Sequence, residues 1–557
     1  MRRFSGLLAL LLTAAAATAH AAGHRGWCAT DSAARRDGIW THEEREQRRP
    51  FRAQARDQVM RAGNVAVLVD QGDLALVKNP LDLQGVGLLF TPDGPSYQVS
   101  RVDVPVAASA GTRLALSDDD SRSVAIGFAF PFYGKTYGEV FVNSDGNLTF
   151  TQPDRASTTR SLGRLIGGPP RIAPLLADLD PSAGGSVTAA AAGDRLVVTW
   201  TDVPQFEVAD KNTFQATLYA DGRIDFAYAA NLTRALEAGA TGIAPGNEEG
   251  GLTAVDFANA AAVTGAGALA ESFHADDELD EVATTRRFIR NFGDDYQQLV
   301  VFTNFRFLPP RSIAFERTLA SRVSGIGQPL YDQSAQYGSN GRLESFVMMD
   351  AISRYPDDPA QRYLGADNTL SILGQESGHL FMAYAKFRDG NASSTDLLGR
   401  DDAHWSFFMD SDGSVMEGND IDDLGGGSFR TGTAVVRYSP LDQYLMGLRP
   451  ADEVAPFFYV KNPTGTDSSK DRGPQENVGF QGTRRDVTIE DVVAAMGPRS
   501  PAFGQAPRTL REAFVFVSVG GPPSEADLAK VERIRSAWEP FWTQAVEGRG
   551  TIVTSLN

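Results

Sequence analysis

The run Gly374-Gln375-Glu376-Ser377-Gly378-His379 sets a carboxylate and an imidazole three positions apart, with an amide four positions before the imidazole. On a helix residues i and i+4 share a face, so Gln375 and His379 point the same way with Glu376 beside them. The spacing is that of H-E-x-x-H with glutamine in place of the first histidine. In that arrangement two imidazoles hold a divalent metal while the glutamate acts as general base towards the metal-activated water. The chemistry these residues allow is metal-assisted hydrolysis, with Glu376 as base and His379 as ligand. A core histidine satisfied by a backbone group is the alternative account of His379.

A third ligand has few sources. Cys28 is the only cysteine, which excludes a multi-cysteine zinc or iron–sulfur site. Beyond the first 21 residues the histidines are His24, His42, His274, His379 and His404. A ligand six positions after His379 is excluded, because Ala385 stands there. His404 is the best remaining imidazole, Glu417 the alternative, and Gln375 could ligate through its amide oxygen. A neutral oxygen is a poorer zinc ligand than imidazole, so such a site is weaker or selects another metal. Tyr438 is a candidate oxyanion donor, and Tyr444-Leu445-Met446-Gly447 a turn bearing a methionine under the site; core packing is the preferred account of both. Calcium is suggested by Asp410-Ser411-Asp412-Gly413 with Glu417, and more faintly by Asp178 and Asp180. The first is not an EF-hand, since the twelfth position counted from Asp410 is Ile421; a solvated acidic turn is its preferred account, and an acidic pair at a strand end before Pro181 that of the second. Cys28, in a lead-in that reads as a linker or a pro-segment, could cap a metal as thiolate.

The elements that must position these groups are partly visible. Asn368 is a good N-cap for a helix from Thr369 towards Phe387, with Leu370, Leu373, Leu380, Phe381, Tyr384 and Phe387 on its buried face. Leu299-Val300-Val301-Phe302 reads as a buried strand. A second helix is expected from Ser524 to about Glu547, interrupted at Pro540. From about 62 to 265 short apolar or alternating runs are punctuated by turns, among them Val65–Val69, Val140–Val142, Leu196–Trp200 and Phe214–Tyr219. Strands of that length and spacing predict an antiparallel sandwich.

The whole chain has 557 residues, 70 acidic against 52 basic side chains and a net charge of −18, so no overall field draws nucleic acid or an anionic membrane. Arg2 and Arg3, the apolar run Leu7–Leu12 and Ala19-His20-Ala21 read as a secretory signal peptide over 1–21. The expected address is therefore periplasmic or extracellular, without a membrane anchor. No phosphate-binding G-x-x-x-x-G-K-[ST] loop is present. The expected division is 1–21 signal, 22–60 polar lead-in, 61–265 sandwich and 280–557 a domain of mixed helix and strand.

Two resemblances refine this. FPFYG (130–134), VNSDGNLTF (142–150), IAPLLADLDP (172–181), LVVTW (196–200) and TFQATLYADGRIDFAY (213–228) resemble the extracellular β-sandwich of nidogen-type proteins. LVVFTNF (299–305), VSGIGQP (323–329), FVMMDAISRYP (346–356), NTLSILGQESGH (368–379), LLGRDDAHWSFFMDSDGSVMEGN (397–419) and RYSPLDQYLMGL (437–448) resemble a group of secreted bacterial zincin-like proteins. The second resemblance implies an α+β zincin-type metallopeptidase domain behind the sandwich, using zinc and taking a protein or peptide substrate. The departure at Gln375 leaves open a catalytically inactive secreted binding or adhesion protein on the same scaffold.

Overall fold

The computed structural model describes residues 27–31 and 59–557, apart from 77, 109–110, 235, 237, 275–276, 309–311 and 434–435. The expected signal peptide, most of the lead-in, His24 and His42 lie outside the described residues.

Residues from about 80 to 274 form the sandwich. One sheet of seven strands has Asn147–Thr149 and Arg171–Ala177 at its centre; the other, of eight, is centred on Ile224–Tyr228 and Asn212–Tyr219. Period-two alternation drives it: Leu196, Val198 and Trp200 turn inward from one strand and meet Phe214, Ala216 and Leu218 of its neighbour. Trp200 stacks on Phe214 at 5.1 Å. The VNSDGN turn has a structural use. Asp145 takes Arg160 and Arg164, each at 2.9 Å, and Asp154 takes Arg164 and Arg171 at 3.1 and 2.6 Å. Two arginines hold the Asp154 carboxyl well below the usual range despite its burial.

The run Val65–Val69, expected in the sandwich, belongs elsewhere. It pairs parallel with Thr509–Ser518, Val65 opposite Phe514, inside a second, mixed sheet. The order of that sheet is Trp27–Asp31, Ser312–Thr318, Ser345–Ala351, Gln298–Thr303, Thr509–Ser518, Val65–Val69, Val59–Ala62. Every residue of Val65–Val69 is buried. A continuous apolar run suits a strand covered on both faces, and this one is so covered. The sandwich is thus an insertion between two strands of the C-terminal sheet.

Six α-helices punctuate the described chain: α1 (Leu162–Gly167), α2 (Glu281–Phe292), α3 (Thr369–Gly378), α4 (Pro440–Met446), α5 (Ile489–Met496) and α6 (Glu525–Ala545). One face of the mixed sheet packs with Leu370 and Leu373 of α3 and Ile534 and Trp538 of α6. The other face packs with Val282 and Phe288 of α2. Asp280 ties the domains together, accepting from Ala283 N of α2 at 2.9 Å and from Gly163 N of α1 at 2.7 Å. The helix from Ser524 runs through Pro540 without interruption. Beyond the sequence expectations, a five-stranded sheet gathers Phe407, Phe408, Phe429, Phe458 and Phe480 into a small core.

Candidate metal centre

Helix α3 starts where Asn368 predicts. The Asn368 side chain accepts from the amides of Leu370 and Ser371, each at 2.9 Å, and the Ser371 hydroxyl accepts from Asn368 N at 3.0 Å. It ends at Gly378, nine residues short of Phe387, which instead opens the strand Phe387–Asp389. Three buried contacts fix it: the Tyr438 hydroxyl donates to Gly374 O at 2.6 Å, the Ser377 hydroxyl to Glu512 at 2.8 Å, and Gln298 Nε2 to Ser377 O at 3.1 Å.

At the end of this helix the His379 Nδ1 faces Met382 O at 3.0 Å. A carbonyl only accepts, so Nδ1 carries the proton and Nε2 holds a lone pair. That Nε2 is buried without a hydrogen-bond partner among the described residues. Burial, followed by the positive charge His404 would carry if protonated, holds the His379 imidazole well below the usual histidine range, hence neutral.

His404 comes to the same place. The two rings lie with centroids 5.0 Å apart and planes at 85°. His404 Nδ1 faces Arg400 O at 2.8 Å, which makes Nε2 its acceptor as well. Gln375 Nε2 and an Arg400 guanidinium nitrogen stand 3.1 and 2.8 Å from that Nε2. The loop is pinned by its neighbour: Trp405 Nε1 donates to Asp442 at 2.8 Å, in the capping box of α4.

Glu417 is the third member. Its Oε1 lies 3.9 Å from His404 Nε2 and 2.7 Å from the Arg400 guanidinium. It holds a left-handed backbone, φ 66°, which costs a residue with a side chain and recurs at functional sites. Gly418 beside it is obligatory, because a Cβ there would sit 2.1 Å from Ser411 Oγ.

The residues weighed for the third ligand lie in one buried neighbourhood: the His404 ring stands against that of His379, and Glu417 against His404. The donor types are those a zinc ion takes, and His379 Nε2 is the unpartnered atom such an ion would satisfy; the three side chains do not, however, bring their ligand atoms within 4.8 Å of one another, and the Arg400 guanidinium stands on His404 Nε2 and Glu417. Glu376 is fully buried near Glu316, whose carboxyl is held well above its usual range by burial first and by Glu376 in lesser part.

Other expectations are corrected. Gln375 turns its amide nitrogen, not its oxygen, to His404. Tyr438 has its hydrogen committed to the Gly374 carbonyl and serves packing, not an oxyanion. The methionine packed under α3 is Met416, whose Sδ would lie 2.7 Å from a Cβ at Gly378; Met446 is a core residue ending α4. His274 lies in the seven-stranded sheet of the sandwich. Asp178 is paired with Arg160 at 2.9 Å. The calcium expectation at 410–412 finds Asp420, not Glu417, beside Asp410 and Asp412, with one carboxylate oxygen of each within 4.8 Å of the others. Burial pushes Asp410 up to about 6; a calcium ion there would need bidentate carboxylates, backbone carbonyls or water to reach six to eight oxygens. The thiolate cap by Cys28 concerns a side chain outside the described set. Arg400 is the residue that sequence reasoning missed; its one signal is its place four residues before His404.

Comparison with known proteins bears on the first domain. Residues 96–290 match the family model described as NIDO related. These residues form a nidogen-like, β-rich domain, as the motifs between 130 and 228 predict. The match ends within α2, whose Phe288 already packs on the mixed sheet. No solved structure matches the chain.

Proposed function

We propose that the chain is a secreted or periplasmic metal-dependent endopeptidase whose metal is held by His379, His404 and Glu417. The observation that carries this reading is the convergence of two backbone-anchored imidazoles and one carboxylate at the end of α3. A zinc ion bound there supplies a Lewis acid and a water activated at neutral pH. Backbone carbonyls at Met382 and Arg400 fix the ring tautomers, so neither imidazole needs to lose a proton before it ligates. Gln375 acts through His404, donating to it, and is a positioning residue. Glu376, next to Gln375 on the helix, is the general base that takes the proton of the attacking water. All five side chains are buried, Glu417 at 1% exposure and the others at 0%. A polypeptide therefore enters only after a covering segment moves.

A second reading, an inactive binding protein on this scaffold, is favoured by the guanidinium seated on His404 and Glu417. Metal analysis with a general protease assay separates the two. Wild-type protein is expected to carry about one zinc per chain, His379→Ala to lose it, and Glu376→Ala to keep it while cleavage falls by at least about a hundredfold. Substoichiometric zinc in wild type with no cleavage after zinc addition would leave the binding protein as the account.

A further inference from the structure

We propose that Asn340 is a site of spontaneous deamidation, where this chain converts one of its own side chains to a carboxylate. The inference is independent of the metal-centre reading. Asn340-Gly341 is the only Asn-Gly pair in the chain. The reaction asks three things of such a pair. The asparagine amide has to be free to turn, the following backbone N–H has to be uncommitted, and the following residue must not bar the approach with a β-carbon.

The turn between Gly338 and Leu343 supplies all three. Asn340 is exposed, and its one hydrogen bond among the described residues is made by its backbone N–H, to Asp294 Oδ2 at 2.5 Å. Its side-chain amide is left unheld. The Gly341 N–H donates to no backbone or side-chain acceptor among the described residues, and Gly341 takes the left-handed backbone, φ 89°. The chain around the pair is pinned instead by Ser339. Its hydroxyl donates to Asp294 Oδ1 at 2.7 Å and accepts from Arg342 N and Leu343 N, each at 3.0 Å. The two reacting groups are thus the uncommitted ones in a turn that is otherwise tied down.

The Gly341 nitrogen attacks Asn340 Cγ, and an N–Cγ bond closes a succinimide ring. The bond from Cγ to Nδ2 breaks, and ammonia leaves with the proton that Gly341 N gives up. Water then adds to one of the two ring carbonyls and cleaves its bond to nitrogen. Opening at Cγ gives aspartate. Opening at the backbone carbonyl gives isoaspartate, whose main chain runs on through Cβ and Cγ. Either product puts a carboxylate on the residue whose N–H the Asp294 carboxylate accepts, so like charges meet in the turn. Isoaspartate also lengthens the main chain just before Leu343, which is 1% exposed in the core that α2 covers, and before the strand Ser345–Ala351.

Incubation of the full chain at mildly alkaline pH in heavy-oxygen water, followed by digestion and peptide mass mapping, tests this. Asn340 is expected to convert before any other asparagine and to take up one heavy oxygen. It should yield two peptides of equal mass, one of them labelled by an isoaspartate methyltransferase. The reacted chain should bind an anion exchanger more tightly and melt below the unreacted chain. Asn340→Gln, which would have to close a larger ring, should stay unreacted over the same time and keep its melting temperature. A second incubation, of chain unfolded in guanidinium, gives the rate without the turn. Asn340 intact in the folded chain after the unfolded chain has converted would overturn the proposal, because the turn would then protect the pair. Earlier conversion of another asparagine in the folded chain would overturn it as well.

Discussion

Tyr438 donates its hydroxyl hydrogen to the Gly374 carbonyl, so a substrate oxyanion would have to compete with a helix carbonyl for it. Tyr438→Phe is therefore expected to cost about 1 kcal/mol of stability and to leave the rate of peptide cleavage within about twofold. Loss of a true oxyanion donor lowers the rate roughly a hundred- to a thousandfold, and that result in a kinetic assay would return the residue to catalysis. Glu512, under the same helix, makes a pH prediction. Burial pushes its carboxyl up to about 7 from the usual glutamate value of 4.5, against hydrogen bonds from Ser377 and Trp538. The folded state holds the proton more tightly than the unfolded chain. Its contribution is thus full below about pH 4.5 and is lost as pH rises to about 7, on the order of 3 kcal/mol in all. Glu512→Gln should flatten the fall in melting temperature across that window; an unchanged slope would show that another group titrates. At this scale the nearness of His404 to His379 and of Glu417 to His404 was legible, because few residue types ligate metals and the chain holds few of them. The direction of each side chain was not, since Tyr438 and Gln375 take orientations set by partners distant in sequence.

The helix α3 shows what periodicity records and what it does not. Leu380, Phe381 and Phe387 continue the apolar spacing and are buried in the same core as Leu370 and Leu373, yet the helix stops at Gly378. Phe381 N and Met382 N both turn back to Gly378 O, at 2.9 and 3.1 Å, and this turn brings Met382 O to the His379 ring. Burial was legible; the turn that completes the site was not. Gly378 is held by close approach: a Cβ there would lie 2.7 Å from Met416 Sδ and 3.2 Å from Tyr438. Gly378→Ala is expected to destabilise by about 1–3 kcal/mol, read from the denaturant midpoint, and to weaken zinc binding by displacing His379. A second element bears on access. The strand Trp27–Asp31 pairs antiparallel on Ser312–Thr318, with Ala29 opposite Phe315, and packs against α3. A chain beginning at Val59 should cleave peptides faster than the full chain. Equal rates would place the covering segment elsewhere.

At the scale of the whole molecule, the sandwich was legible from its turns and alternation, and the family match over 96–290 agrees. The placement of Val65–Val69 was not, because its partner strand begins at Thr509, on the far side of the sandwich. An apolar run of five states that a strand is buried, and nothing about which sheet buries it. The consequence is that 280–557 is not self-sufficient. Without Val65–Val69 the strand Thr509–Ser518 loses a neighbour along Phe514–Ser518, in the interior of the sheet. A fragment of 280–557 is expected to unfold without a cooperative transition in urea, whereas the full chain unfolds cooperatively. A sharp transition for the fragment, followed by near-ultraviolet circular dichroism, would contradict the insertion as described.

The central claim is that His379, His404 and Glu417 hold one divalent ion. Anomalous scattering at the zinc edge, from crystals grown with zinc, tests it most directly. The account predicts a single strong peak about 2.0–2.2 Å from His379 Nε2, His404 Nε2 and a Glu417 oxygen. A zinc peak confined to Asp410, Asp412 and Asp420, or none near α3 with Arg400 still on Glu417, would contradict it.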